Sequence, residues 1–163
     1  MTVLGVIPAR YRSTRFPGKP LADINGKPMI HHVYSAASKA KLLDDVVVAT
    51  EDERICEVCD KHGIKWVMTD RDHPTGTDRV AEVSGSIEAD IFVNIQGDEP
   101  MIHPDTIDAA VVPLLNDSDI QVTNLCAQIH DHDELMDNNV IKVVLSPDFK
   151  ALYLSRQAIP YPR

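Results

Sequence analysis

The sequence contains no apolar stretch long enough to cross a bilayer, which takes about 20 residues. Its first apolar run, Val3 to Ile7, is too short for a signal peptide, and no basic segment precedes it. Cysteine is also scarce: the three residues are an odd number, and their spacing does not suggest a disulfide framework. We therefore expect a cytoplasmic protein in a reducing compartment, with no membrane partner.

The glycine-rich loops of two common nucleotide-binding folds are absent as well. Gly18-Lys19 lacks the earlier glycine and the following Ser or Thr of a Walker A loop, and no Gly-x-Gly-x-x-Gly fingerprint occurs. These absences argue against a P-loop ATPase and against a dinucleotide-dependent dehydrogenase. Cys56 and Cys59 have no second Cys-x-x-Cys pair at the spacing of a zinc site. We interpret them as small buried residues of a helix.

Positive charge is missing from a long central stretch, because no Lys or Arg lies between Arg79 and Lys142. Residues 1–40 hold six Lys or Arg and one acid, a net charge of +5, which leaves −14 for the rest of a chain whose total is −9. Nucleic-acid binders spread their basic residues over a face, so this clustering argues against nucleic acid as a partner. It indicates a single compact polyanion, such as a triphosphate.

Short apolar runs alternate along the chain with longer helical stretches. Runs such as residues 46–49 are continuous rather than alternating, as expected of strands covered on both faces. The pattern predicts an α/β doubly wound fold with a mostly parallel central sheet, in a single domain spanning residues 1–163. The predicted strands are Val3–Ile7, Val46–Thr50, Trp66–Met68, Ile91–Ile95, Ile120–Ala127 and Val140–Leu145, and the predicted helices are Met29–Lys41, Glu53–His62, Asp78–Ser86 and Thr106–Leu115.

A basic loop follows the first predicted strand. Arg10, Arg12, Arg15 and Lys19 place four cations within ten residues, at the strand end where doubly wound sheets bind ligands. Arginine grips phosphate oxygens with two N–H groups and lysine adds a point charge, while Ser13 or backbone N–H groups supply neutral donors. We predict that this loop binds phosphates. The alternative is a solvated basic loop.

A carboxylate follows another predicted strand, in the segment Asn94 to Pro100. Asp98 lies beside Gly97, which lets a ligand approach the backbone. Mg²⁺ prefers hard oxygen ligands, typically one or two carboxylates together with phosphate oxygens. We assign Asp98 to Mg²⁺, whereas Glu99 is equally explained as a structural acid.

Several sequence blocks resemble, in order, those of the 3-deoxy-manno-octulosonate cytidylyltransferase (CMP-Kdo synthetase) family. The resemblance covers essentially the whole chain and corresponds to the family's N-terminal portion. The blocks are residues 7–10 with Ser13, Arg15 and 17–19, then 26–30, 48–50, 68–69, 76–79, 94–100, 142–144, 151–153 with 155–156, and 159–161.

The resemblance implies a Rossmann-like nucleotidyltransferase fold and a reaction in which CMP passes from CTP to Kdo. The products are CMP-Kdo, for lipopolysaccharide biosynthesis, and pyrophosphate. It implies Mg²⁺ as cofactor and a homodimer for full-length relatives. The implied catalytic residues are Arg10, Lys19 and Asp98, with Asp98 on the metal. The implied CTP contacts are Pro8, Ala9, Arg10, Ser13, Arg15, Lys19, Thr75, Gly76 and Asp78, and the implied Kdo contacts are Gln96 and Arg156.

The chain departs from the family pattern in two places. Thr75 stands where the family usually has Ser, which keeps a hydroxyl. Family chains also continue well beyond a segment like residues 159–163, so we expect a truncated chain whose own turnover is in doubt. Two alternatives stay open: a cytidylyltransferase for a related acid, such as 8-amino-Kdo or a nonulosonic acid, and a nucleotide-binding module without turnover. For Thr77 and Asp78, an ordinary helix cap is an equal alternative to base contact.

Overall fold

The computed structural model of the protein describes residues 1–12 and 16–160. The chain forms two compact units, Met1–Thr123 and Asn124–Arg163, which are described in turn. The expectation of a single domain stays a prediction. In the described part of the chain, no helix is both long enough and apolar enough to cross a membrane.

The first unit is an α/β unit built on a four-stranded parallel sheet, which confirms the predicted fold class. Across the sheet the order is β5-β4-β1-β6, so the first strand of the chain is central. In chain order the elements are β1 (Val3–Ala9), a 3₁₀ turn (Lys19–Leu21), β2 (Asp23–Ile24), β3 (Lys27–Pro28), α1 (Met29–Ala37), β4 (Asp45–Thr50), α2 (Glu53–His62), β5 (Trp66–Met68), α3 (Gly76–Ser86), β6 (Ile91–Asn94) and α4 (Pro104–Asn116).

The core of this unit lies on both faces of the sheet. Successive side chains of a strand point to opposite faces, so Val6 and Ile7 of β1 join different apolar clusters. Ile7 packs with residues of α1, α2 and α4, whereas Val6 packs with Val80 and Val83 of α3. Because both faces are covered, β1 and β4 are apolar along nearly their whole length.

Helix α2 shows how local sequence sets the element boundaries. Asp52 caps the N-terminus by accepting a hydrogen bond from the backbone N–H of Arg54 at 3.1 Å. Gly63 ends the helix in the left-handed conformation, at φ 65°. Cys56 and Cys59 are buried in this helix, as predicted, and burial raises the pKa of the Cys59 thiol to about 12.

The second unit contains the short helix α5 (His132–Met136) and an antiparallel pair of strands, β7 (Lys142–Leu145) and β8 (Ala151–Ser155). Its one buried charge, among the residues described, is the Lys142 ammonium. This group donates to the carbonyls of Asp137 at 2.5 Å, Val140 at 2.8 Å and Arg156 at 3.2 Å. Buried charged groups are stable only when their hydrogen bonds are satisfied, and these three bonds hold the ends of the strand pair together.

The predicted strand Ile120–Ala127 is wrong. The structure assigns no strand to residues 120–127, and most of their side chains are exposed. The apolar β-branched residues of this run favour extended backbone, but a strand also needs a hydrogen-bonded neighbour. In the described part of the chain, residues 120–127 pair with none of the strands.

Candidate functional site

An open pocket of about 450 Å³ lies at the carboxyl ends of β1 and β6, beside the N-terminus of α3. This is the edge at which doubly wound sheets bind ligands, and the volume suits a small molecule. The residues predicted from the sequence that line it are Pro8, Ala9, Arg10, Lys19, Thr75, Gly76, Gln96 and Asp98.

Opposite charges meet across this pocket. The Lys19 ammonium lies 2.7 Å from Oδ2 of Asp98, and both side chains are partly exposed, by 37% and 52%. Lys19 comes from the turn after the basic loop, and Asp98 follows β6, so residues 79 positions apart form one site. An exposed pair of this kind contributes little to stability, which leaves both charges available to a ligand.

Tyr11 closes the basic loop on itself. The backbone N–H of Gly18 donates to the carbonyl of Tyr11 at 2.8 Å. Gly18 has φ 71°, a left-handed conformation that favours glycine, and a Cβ at this position would also be tight against the Tyr11 ring, at 3.2 Å. The guanidinium of Arg54 stacks on the same ring, 3.3 Å from its centroid. These contacts fix the two ends of the loop, while Ser13 and Arg15 lie outside the described residues.

Gly97 forms the floor of the pocket, where the ends of β1 and β6 approach each other. A Cβ at Gly97 would lie 2.8 Å from the carbonyl oxygen of Pro8, a backbone atom that cannot rotate away. Only glycine therefore permits this approach of the two strand ends.

Thr75 and Asp78 form a capping box at the start of α3. The hydroxyl of Thr75 accepts from the backbone N–H of Asp78 at 3.3 Å, and the Asp78 carboxylate accepts from the backbone N–H of Thr75 at 3.0 Å. Hydrogen bonds from the Thr75 hydroxyl, first, and from its backbone lower the pKa of the Asp78 carboxyl. The structure thus shows the cap, and the nucleotide contact of these two residues stays a prediction.

A buried ion pair that sequence reasoning missed lies in the wall of the pocket, which Arg79 lines. The Arg79 guanidinium is 2.7 Å from Oε2 of Glu51, with side chains only 3% and 6% exposed. That oxygen accepts no hydrogen bond, so the guanidinium and the carboxylate attract each other by charge alone. Arg79 also donates to the Thr69 hydroxyl and to the Asp70 carbonyl.

Glu51 extends this network to the basic loop. Its Oε1 accepts from the backbone N–H of Tyr11 at 3.3 Å. The network therefore joins the residues that follow β1, β4 and β5 to helix α3, and it holds the pocket wall. Two features of the sequence could have indicated this ion pair: the acid that directly follows the apolar strand β4 and the arginine in the first turns of α3.

His73 is a second pocket residue that sequence reasoning missed. Its Nε2 pairs with a carboxylate oxygen of Glu82 on α3. No local motif marks the pair, since the two residues meet only when the loop after β5 folds over the helix.

Arg156 and Gln96, the predicted sugar contacts, belong to different units. Gln96 lines the pocket, whereas Arg156 donates from its guanidinium to the carbonyl of Asn138, 3.0 Å away, within the second unit. The role of Arg156 in binding a sugar acid stays a prediction.

Residues 4–163 match the sequence profile of the cytidylyltransferase family, and the chain belongs to that family. A 3-deoxy-manno-octulosonate cytidylyltransferase of Pelobacter propionicus is 50% identical over all 163 residues, and the match spans 64% of that protein. The chain therefore corresponds to somewhat less than two thirds of this relative's length. The resemblance to that enzyme family inferred from the sequence blocks is confirmed.

Solved structures agree in fold. The structure of a CMP:2-keto-3-deoxy-manno-octonic acid synthetase complexed with CTP superimposes with a TM-score of 0.97 at 45% identity, covering 100% of this chain and 67% of that one. A Mycobacterium tuberculosis protein solved in complex with manganese shares the fold alone, with a TM-score of 0.54 at 16% identity over 70% of this chain and 59% of that one.

Proposed function

We propose that the chain binds CTP in the pocket between β1, α3 and β6 and serves the transfer of CMP to Kdo. The products are CMP-Kdo, for lipopolysaccharide biosynthesis, and pyrophosphate. The observation that carries the proposal is the Lys19–Asp98 pair at the carboxyl edge of a parallel sheet, in a chain of the cytidylyltransferase family. A cytoplasmic location and a homodimer of the full-length protein belong to the same proposal.

The reaction is an in-line attack of the anomeric hydroxyl of the sugar acid on the α-phosphorus of CTP. The new bond joins that oxygen to phosphorus and the hydroxyl proton passes to solvent. The bond from the α-phosphorus to the bridging oxygen breaks, and pyrophosphate leaves. Catalysis of such a transfer rests on positioning and charge neutralisation. Arg10 and Lys19 supply positive charge for the phosphates, and Ser13 and Arg15 belong to the same loop. Gln96 and Arg156 are the proposed contacts to the sugar acid.

The residues of the pocket fit a magnesium ion that enters with the nucleotide. No group of three or more His, Cys, Asp or Glu side chains is arranged to hold a metal in residues 1–12 and 16–160. Asp98 offers one hard carboxylate at the pocket surface, and Mg²⁺ commonly takes one or two carboxylates and completes its shell with phosphate oxygens and water. When bound, Mg²⁺ would neutralise phosphate charge and polarise the attacking hydroxyl.

The proposal predicts a selective rise in melting temperature with CTP. A ligand that binds only the folded state stabilises it, by about 1.4 kcal/mol at ten times its dissociation constant. At equal concentrations with Mg²⁺ present, CTP should raise the melting temperature more than ATP, GTP or UTP. Equal shifts for all four nucleotides would show that the pocket reads phosphates only.

The choice of sugar is tested separately from nucleotide binding. Pyrophosphate release with CTP should require Kdo. Replacing Kdo by 8-amino-Kdo or by a nonulosonic acid in the same assay shows whether the chain uses a related sugar acid instead. CTP binding without release for any of these sugars would support a binding module without turnover.

A further inference from the structure

The pair of His73 and Glu82 has no role in the chemistry proposed above, yet His73 lines the same pocket. Nε2 of His73 hydrogen-bonds to Oε2 of Glu82. The Glu82 carboxylate also accepts from the backbone N–H of Asp70, at 2.8 and 3.2 Å from its two oxygens. The hydrogen bond from His73, first, and that from the Asp70 backbone lower the pKa of Glu82. Glu82 is therefore a fixed, ionised acceptor.

Because Glu82 accepts a hydrogen bond from Nε2, it determines whether the other ring nitrogen of His73, Nδ1, carries a proton. Nε2 must carry the proton that it donates to Glu82, so in the neutral imidazole Nδ1 has a free lone pair. In the described part of the chain, the hydrogen bonds of His73 leave Nδ1 without a partner. The pocket wall thus carries a hydrogen-bond acceptor of defined tautomer.

The topology separates this acceptor from the charged end of the pocket. His73 follows β5, and Asp98 follows β6, which are the two outer strands in the order β5-β4-β1-β6. His73, Thr75 and Gly76 line the same pocket as Lys19 and Asp98, so a nucleotide with its phosphates at Lys19 has these three residues within its pocket.

We propose that His73 determines base specificity: its Nδ1 accepts a hydrogen bond from the exocyclic amine of cytosine, with Glu82 as the positioning residue that fixes the tautomer. Uracil presents a carbonyl oxygen where cytosine has the amine, so a lone pair would face a lone pair. A site built around a specific hydrogen bond discriminates against the analogue that cannot make it. This inference rests on the proposed function and identifies how the same pocket chooses its nucleotide.

The test is the ratio of CTP to UTP affinity, measured by calorimetry at pH 8 with Mg²⁺. His73→Ala should weaken CTP binding about tenfold, because one hydrogen bond is lost, and it should leave UTP binding no weaker, because the repulsion between Nδ1 and the uracil carbonyl is removed. His73→Asn, whose amide oxygen lies close to the position of Nδ1, should retain most of the preference for CTP. His130→Ala, an exposed histidine of the second unit, is the matched control and should leave both affinities unchanged.

Glu82→Lys distinguishes a tautomer effect from a packing effect. The lysine ammonium can only donate, so Nε2 becomes the acceptor, the ring proton moves to Nδ1, and Nδ1 changes from an acceptor into a donor. The CTP preference should then shift towards UTP by about tenfold or more, which loss of packing alone does not produce. Melting temperatures of all variants confirm that they are folded.

The outcomes separate this inference from the proposed function. Wild-type protein that binds no CTP, or binds all nucleotides equally, overturns the proposed function and this inference together. Wild-type protein that prefers CTP, with an unchanged CTP to UTP ratio in His73→Ala and Glu82→Lys, overturns the role of His73 alone. If His73→Ala does not fold, His73→Phe, whose ring has no acceptor, takes its place, and an unchanged ratio in that variant overturns the role of His73.

Discussion

Replacing Arg79 by Met is expected to lower the free energy of unfolding by about 3–5 kcal/mol, the usual cost of removing one partner of a buried ion pair. The variant would leave the Glu51 carboxylate 6% exposed and without its cation, and it would remove the donors to the Thr69 hydroxyl and the Asp70 carbonyl. Met fills a similar volume, so the loss reflects charge and hydrogen bonding rather than a cavity.

Urea unfolding measures this loss, and two further variants identify its cause. Arg71→Met removes an exposed arginine from the loop after β5 and should change stability by no more than about 0.5 kcal/mol. The double variant Arg79→Met with Glu51→Met should recover most of the loss, since apolar residues often replace a buried pair at little cost. A single Arg79→Met variant as stable as Arg71→Met would contradict the network.

Lys19→Ala is expected to weaken CTP binding by about 10- to 100-fold, the effect of losing one charge-assisted contact of about 1.5–3 kcal/mol. The unfolding free energy should change by less than about 1 kcal/mol, because the pair with Asp98 is exposed at the surface. The variant should therefore lose CTP affinity without losing stability, which is the behaviour of a binding residue and not of a structural one.

Calorimetric titration with CTP tests this expectation, and Lys39→Ala is the matched control. Lys39 is an exposed lysine just after α1 and does not line the pocket, so its removal should leave CTP affinity within about twofold. Wild-type affinity in Lys19→Ala would exclude the basic loop as the phosphate site.

The sequence predicted the sheet well where strands are buried on both faces. The apolar runs at β1 and β4 are continuous because helices cover both sides, and so they stand out from their surroundings. The outer strands β5 and β6 are only partly buried, but each is an apolar run bounded by polar residues. The strand β8, Ala151–Ser155, was missed although it is longer than β5 and β6, and it differs from them in being largely exposed. The strand predicted at Ile120–Ala127 does not form. Its composition favours a strand, but a strand also needs a hydrogen-bonded neighbour, which composition does not reveal.

The candidate site was predictable to the extent that its residues belong to local motifs. Arg10, Lys19, Gly76 and Asp98 follow strands or start a helix, and the topology of a parallel sheet brings such positions to one edge. Pairs such as Glu51 with Arg79 depend on how loops from different strands pack together. Each residue alone is an ordinary charged side chain in the sequence, so neither the burial nor the partner could be deduced.

The Lys19–Asp98 pair has a consequence for how nucleotide and metal influence each other. Phosphate competes with Asp98 for the lysine, and a divalent cation competes with Lys19 for the carboxylate, so either ligand alone leaves one charge without its partner. The two ligands together satisfy both, which makes their binding cooperative. Thermodynamic linkage then requires Mg²⁺ to raise CTP affinity by the same factor by which CTP raises Mg²⁺ affinity. Asp98→Asn should reduce that factor to about one in paired titrations and should raise metal-free CTP affinity, because the lysine is then free for phosphate. An undiminished factor would remove Asp98 from the metal site.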